Sequence, residues 1–352
     1  MAALQFVAFE TALRVHGGSE AAPAFRRLFL PDDYIGHRLS PGVRIRFTTS
    51  EFSTDIAINA QGVRDDEPIG PKARDERRVV VLGDSIVLAV QVEAAETFCE
   101  RLEAHLNARG DGWRYRVINA GVQGYGPIEE LRFFERIAAK FEPDLVLLAT
   151  FVANDAVEVF DRTAQLQATR TVVGEVQDEA GRRLRRLVRR SMVLQIVTQR
   201  VRSITERLHP GRRPAPDRRL LSYSTPLHAD VQRGFELGAD VARQIAERAR
   251  AAGARTAIVL VPARFQLDDA EYDRLRATVE PAGYEMTIDG ANERFAAAYA
   301  PLGLPVLDLL PAFRLADRPG AIFYRRTVHL TPYGHRVAAG ALARFLDARQ
   351  LP

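Results

Sequence analysis

Four short polar blocks in this chain carry residue types able to perform acyl transfer. The first is Val81-Leu82-Gly83-Asp84-Ser85-Ile86, where an apolar run ends at glycine and delivers a serine. A hydroxyl becomes a useful nucleophile when a neighbouring base takes its proton. Backbone N–H groups left free after such a strand can also point at an oxyanion. Asp84 is expected to hold the turn through side-chain to backbone bonds, not through proton transfer. The second block, Asn119-Ala120-Gly121-Val122-Gln123-Gly124-Tyr125-Gly126, is glycine-rich, so its backbone can approach a ligand closely. Its spacing is not that of a dinucleotide fingerprint. The third block is Phe151-Val152-Ala153-Asn154-Asp155. The Asn154 amide can donate to a developing oxyanion, and losing such a donor typically costs about 2.7–4 kcal/mol of transition-state stabilisation. The fourth is His329-Leu330-Thr331-Pro332-Tyr333-Gly334-His335. A histidine titrates near neutrality, as a general base must. His329 is read as the base and His335 as a helix residue that packs. Taken singly, the serine and asparagine blocks also read as helix caps and the glycine block as a loop.

The elements around these blocks decide between the two readings. Val79-Val80-Val81-Leu82, Tyr115-Arg116-Val117-Ile118-Asn119, Leu145-Val146-Leu147-Leu148-Ala149, Ala257-Ile258-Val259-Leu260-Val261 and Pro305-Val306-Leu307-Asp308-Leu309 predict five strands. Runs that are apolar on both faces belong in a parallel sheet covered by helices. Helical segments are expected at about 96–109, 128–140, 228–252 and 290–300, between the strands. This alternation predicts an α/β fold, a three-layer α/β/α sandwich with right-handed crossovers. Ligands in such open sheets bind at the carboxyl ends of the strands. The first three blocks each follow a strand, and the fourth opens the last helix.

The flanking regions differ in texture. Residues 1–29 read as an N-terminal helix or the remnant of a membrane anchor, and 30–74 as a small β-rich element. Val43-Arg44-Ile45-Arg46-Phe47 within it alternates strictly, as a half-buried strand does. An insertion at about 160–226 is strongly basic at its centre (Arg182, Arg183, Arg185, Arg186, Arg189, Arg190, Arg200 and Arg202). It reads as a helix docked by an apolar face with its arginines solvated, or as a contact for an anionic membrane surface or an acidic polymer. Pro210 to Arg219 reads as a loop.

Composition removes several classes. The 352 residues are 47% hydrophobic and 27% charged, ample for a core, and the formal net charge is +4. Lys72 and Lys140 are the only lysines. That arginine skew reflects codon bias more readily than phosphate binding. No nucleic-acid-binding signature accompanies it, so no nucleic-acid partner is expected. Cys99 is the single cysteine, which excludes an intrachain disulfide framework and a cysteine-based zinc site. It is expected to be a buried thiol on a helix. No cofactor or metal is called for.

In order and with matching strands, the four blocks resemble the SGNH (GDSL-like) hydrolases over residues 78–346. Tyr34-Ile35-Gly36-His37-Arg38-Leu39 and Ile58-Asn59-Ala60-Gln61-Gly62-Val63-Arg64 resemble the N-terminal segment of bacterial members. The resemblance implies a flavodoxin-like sheet across a hydrolase-like domain, 75–352. It implies Ser85 as nucleophile, His329 as base, and an oxyanion hole from the Ser85 N–H, Gly124 and Asn154. The expected activity is that of a serine esterase or O-acyltransferase working through a Ser85 acyl-enzyme. A small ester or acylated carbohydrate, O-acetylated in particular, is the expected substrate.

Two positions depart from the family pattern. Val152 and Ala153 stand where a glycine usually precedes Asn-Asp. Arg326 and Thr327 stand where an aspartate usually precedes the histidine. Three outcomes follow: a backbone carbonyl orients His329, the distant Asp308 substitutes, or the site is degraded. The last corresponds to an alternative function, a catalytically impaired carbohydrate-binding protein of a cell-envelope polysaccharide pathway. A metal-dependent phosphoesterase is a third reading, with too few further ligands to hold two metals. Oligomeric state and compartment, cell envelope or cytoplasm, are not fixed by sequence.

Overall fold

The computed structural model describes residues 25–175 and 216–351, with side chains described to residue 167 in the first span. The N-terminal call on 1–29 therefore lies almost wholly outside the described residues, as does the arginine-rich centre of the insertion. Two antiparallel hairpins come first: β1 (Phe29–Asp32) with β2 (Gly36–Leu39), and β3 (Arg44–Thr48) with β4 (Ser53–Ala57). Strand β3 buries Ile45 and Phe47 and exposes Arg44, Arg46 and Thr48, as its alternation requires.

The chain then alternates strand and helix. In order come β5 (Glu76–Gly83), α1 (Ser85–Leu88), α2 (Phe98–Asn107), β6 (Arg114–Gly121), α3 (Pro127–Arg136), β7 (Leu145–Phe151) and α4 (Asp155–Glu175). After the undescribed stretch follow α5 (Ala229–Ala251), β8 (Arg255–Val261), α6 (Asp269–Val279), α7 (Gly290–Tyr299), β9 (Val306–Asp308), α8 (Leu310–Arg314) and α9 (Pro332–Ala348). The strands β5 to β9 form one parallel sheet in the order β9-β8-β7-β5-β6. Counting sheet strands from the first, this is the 2-1-3-4-5 arrangement of flavodoxin-like folds.

Side-chain alternation divides the core in two. Val80, Leu82, Ile118, Val146, Leu148, Ile258 and Leu260 face one side, with Phe133 and Phe134 of α3, Val231 and Ile245 of α5, and Phe295 of α7. The N-terminal hairpins join this side through Leu39, Phe47 and Ile56. Val79, Val81, Leu145, Leu147, Ala257 and Val259 face the other, with Leu102 and the buried Cys99 of α2, and Leu342 of α9. Each fully buried Val or Leu contributes about 1.5–3 kcal/mol. Both faces are covered, so the sheet is anchored throughout and only its rims are free to present loops. No described helix is long and apolar enough to cross a membrane.

Candidate active site

The Ser85 turn is built by close backbone approach. β5 pairs with β6 so that Gly83 lies opposite Gly121. A Cβ at Gly121 would sit 2.3 Å from the Leu88 nitrogen, so glycine lets α1 lie directly on the neighbouring strand. Asp84 caps α1, its Oδ1 accepting from Ile86 N at 2.8 Å. Asn119 accepts from Gly121 N at 3.1 Å and donates from Nδ2 to Val87 O at 2.7 Å. Arg64 reaches in from the N-terminal region, almost fully buried. Its guanidinium donates to Leu88 O at 2.8 Å, to Ala89 O, and to Val92 O at 2.5 Å. Positive charge is favourable at these carbonyls beyond the last turn of α1. Burial pushes the Arg64 guanidinium down to about 10, against the pull of Glu93.

His329 arrives on the loop between the strand-like Phe323 and Leu330, which form a single antiparallel bridge. Tyr324 N donates to His329 O at 3.0 Å, and Tyr324 Oη donates to Gln91 O at 3.0 Å. Thr331 caps α9, accepting from Gly334 N at 3.1 Å. Arg264 sits behind the loop, donating to Arg325 O and pairing with Glu271 at 2.5 Å. His329 Nε2 comes to 2.9 Å from Ser85 Oγ, with both residues buried. For the serine to donate, the neutral ring must carry its proton on Nδ1. That Nδ1 is buried and has no hydrogen-bond partner. Burial pushes the imidazole down to about 4, so it is neutral at pH 7.

Asp308 does not supply the missing partner. Its Oδ1 accepts from Asn292 Nδ2 at 2.8 Å and from Leu310 N at 2.9 Å. The strand that carries it, β9, is the three-residue edge strand, and its aspartate serves to start α8. Of the two positions where the family carries its carboxylate, Arg326 is engaged elsewhere: its N donates to Glu51 at 3.1 Å and its Nη1 to Ser50 Oγ at 3.1 Å. Thr327 Oγ1 accepts only a long bond, 3.4 Å, from His329 N. His335 accepts from Phe98 N at 3.1 Å through Nδ1 and stacks on the Phe98 ring at 5.7 Å.

Gly124 and Asn154 stand just past β6 and β7, the two strands that flank β5. Gly124 has φ +72°, and Tyr125 N donates to Val122 O at 3.2 Å across it, closing a tight turn. Asn154 Nδ2 donates to Glu158 Oε1 at 2.9 Å, while its Oδ1 is buried without a partner. Behind this rim lies a group of buried carboxyls. Burial first, then mutual repulsion, pushes Glu158 up to about 8 and holds Glu130 and Asp155 well above the usual carboxylate range. Asp84 is pushed up to about 6 by burial. Glu129 pairs with Arg162 at 2.6 Å.

The parallel sheet with this serine–imidazole contact at its carboxyl rim places the chain in the SGNH hydrolase-like fold class. Within that class, residues 222–352 match the family described as the SGNH hydrolase-like domain of the acetyltransferase AlgX. The match takes in the His329 loop; Ser85, Gly124 and Asn154 precede it. Among solved structures the chain is similar to a lipase/acylhydrolase from Enterococcus faecalis, at 14% identity over 78% of this chain and 96% of that one, TM-score 0.44. It is also similar to an acetyl xylan esterase from Geobacillus stearothermophilus, at 15% identity over 77% of this chain and 94% of that one, TM-score 0.41. No curated protein matches the chain.

Arg64, Asn119 and Arg264 were not singled out as site residues by sequence. They act on backbone carbonyls far along the chain, and no spacing announces such a contact. Asn119 carried a hint at the head of the glycine-rich block, and Arg64 another at the end of the Ile58–Arg64 segment.

Proposed function

We propose that the protein transfers a short acyl group, acetyl in the first instance, to or from a hydroxyl of a carbohydrate through a Ser85 acyl-enzyme. One observation carries the reading: the 2.9 Å contact between His329 Nε2 and Ser85 Oγ, sequestered from water at the end of β5. In this reading His329 takes the serine proton as Oγ attacks the ester carbonyl. The tetrahedral oxyanion is held by the N–H groups of Ser85 and Gly124 and by the Asn154 amide. His329 then returns the proton to the departing alkoxide. Water or an acceptor hydroxyl resolves the acyl-enzyme by the same steps in reverse, so hydrolysis and transfer share one site and differ in the acceptor. The acetyltransferase named in the matching family supports the acetyl group.

The test uses p-nitrophenyl acetate and a fluorophosphonate probe. The native chain should turn over the ester and be labelled at Ser85, and Ser85→Ala should lose both while keeping its urea midpoint. Undiminished turnover in Ser85→Ala, or a native chain that neither reacts nor labels, rejects the reading.

A further inference from the structure

The turn that carries Gly124 can be written in two ways with the same chain path. A type II turn has its third residue at φ of roughly +80°, whereas in type I the same residue lies near −90° and the central peptide is rotated by about half a circle. Here the turn runs Val122-Gln123-Gly124-Tyr125, Gly124 has φ +72°, and Gln123 is not among the residues with positive φ. The turn is therefore type II. Its central peptide joins Gln123 C=O to Gly124 N–H, and in a trans peptide those two groups point in opposite directions. Whatever holds the carbonyl therefore aims the N–H.

The group that holds it comes from the N-terminal hairpin. His37 Nε2 lies 2.8 Å from Gln123 O. A carbonyl oxygen only accepts, so the proton must be on Nε2. Burial, and secondarily Arg162, push the His37 pKa down, leaving a neutral ring with that tautomer at pH 7. The ring is fixed from two further sides. Tyr125 Oη donates to the His37 carbonyl at 2.7 Å, and the Tyr125 and Phe29 rings meet the imidazole edge-on at 5.3 and 5.7 Å. His37 and the turn are thus bracketed by reciprocal bonds, one from each segment to the other.

We propose that His37 is a positioning residue for the oxyanion hole, holding the Gln123–Gly124 peptide in the one orientation that presents the Gly124 N–H to the reacting ester. This rests on the reading above that Gly124 is an oxyanion donor. Without the imidazole the peptide is free to rotate toward type I, which would turn a carbonyl oxygen, not an N–H, to the oxyanion. A bond into the carbonyl also polarises the N–H at the other end of the same peptide, strengthening it as a donor. The hairpin formed by β1 and β2 is then part of the catalytic apparatus, although it supplies no group that touches substrate.

The experiment follows p-nitrophenyl acetate turnover in the full chain, alongside the Gly124 amide resonance before and after fluorophosphonate modification of Ser85. His37→Ala should lower kcat at least tenfold with KM within twofold, and His37→Gln, whose amide can donate to the same carbonyl, should recover most of that loss. The Gly124 amide proton should shift on phosphonylation of the native chain and shift less in His37→Ala. Should the alanine variant fold poorly, His37→Leu fills the space between Phe29 and Tyr125 and lacks only the donor; it must show the same loss. Native-level kcat in a folded His37→Ala or His37→Leu overturns the proposal. A Gly124 resonance that does not respond to phosphonylation in an active native chain overturns instead the assignment of Gly124 to the oxyanion hole.

Discussion

Ser85 and His329 share one hydrogen bond, but the protein holds them by opposite means. The serine sits in a dense web of side-chain to backbone bonds. Asp84 caps its helix, Asn119 ties that helix to the neighbouring strand, and Arg64 gathers three carbonyls beyond it. The imidazole is held by packing and by the backbone of its loop, and its second ring nitrogen is buried without a partner. The imbalance is not for want of carboxyls. Asp84, Glu130 and Asp155 are buried and Glu158 is half-buried, but on the Ser85 side, behind the strand ends and not behind the imidazole. On the proposed roles, a preorganised Ser85 beside a His329 whose Nδ1 lacks a partner puts the barrier in forming the imidazolium. Among the described residues nothing accepts from Nδ1 to stabilise that charge, whereas the Ser85 hydroxyl is already aligned with Nε2.

The largest expected effect comes from dismantling the better-held side. Arg64→Met removes the donor to Leu88 O, Ala89 O and Val92 O, and a buried acceptor left unpaired costs about 1–3 kcal/mol. The variant should lose about 3 kcal/mol or more of stability by urea titration and most of its esterase turnover. Arg64→Lys should not rescue it, because a single ammonium cannot span three carbonyls as the planar fork does. A variant with unchanged midpoint and turnover would show that the web is ornamental and the contrast between the two residues false.

A smaller and opposite effect should follow from supporting the weaker side. Thr327→Asp places a carboxylate two residues before His329, where it can accept from Nδ1. The kcat should rise about ten- to a hundredfold, or about 1.4–2.7 kcal/mol of barrier. The sign on pH is determined as well. Burial now depresses the ring to about 4. A facing carboxylate favours the protonated form, so the acid limb of kcat/KM should move to higher pH. A variant with native kcat and a native acid limb would mean that the ring already finds its orienter elsewhere.

The strands, their order of use and the four blocks at their ends were legible because apolar runs of this length signal burial on both faces. His335 could also be separated from His329 as a residue inside a helix. The expectation for Asp308 failed for a local reason: an aspartate closing an edge strand before Leu310-Pro311 is consumed as a helix start, and sequence alone does not reveal that Asn292 takes the same oxygen. Helix α6 was not anticipated, because Val279 is the only residue of Asp269–Val279 that it buries, leaving little periodic signal. Arg64, His37 and Arg264 were illegible as site residues for another reason: each bonds a carbonyl, and every residue type presents one.

The carboxyls behind the nucleophile supply the last and smallest difference between the two sides. Glu130 is buried with Oε1 unpartnered, and burial together with Asp84, Glu129 and Glu158 holds it protonated far above the usual carboxylate range. An acid whose folded-state pKa is raised gives its full stability below the unfolded value near 4.5 and loses it as pH climbs toward the folded value. His329 and His335, pushed down to about 4 and about 3, act in reverse: their contribution is complete above the unfolded value of 6.5 and is lost as pH falls below it. The two arms oppose each other between about 4.5 and 6.5, and only the carboxyl arm remains above 6.5. Native stability should therefore decline from pH 6.5 to 8. Glu130→Gln, neutral in both folded and unfolded states, should reduce that decline by at most about 1.4 kcal/mol per pH unit. The measurement is a pair of urea titrations at each half unit of pH. If the native and Glu130→Gln curves run parallel from 6.5 to 8, Glu130 is ionised in the fold, and burial does not hold its proton.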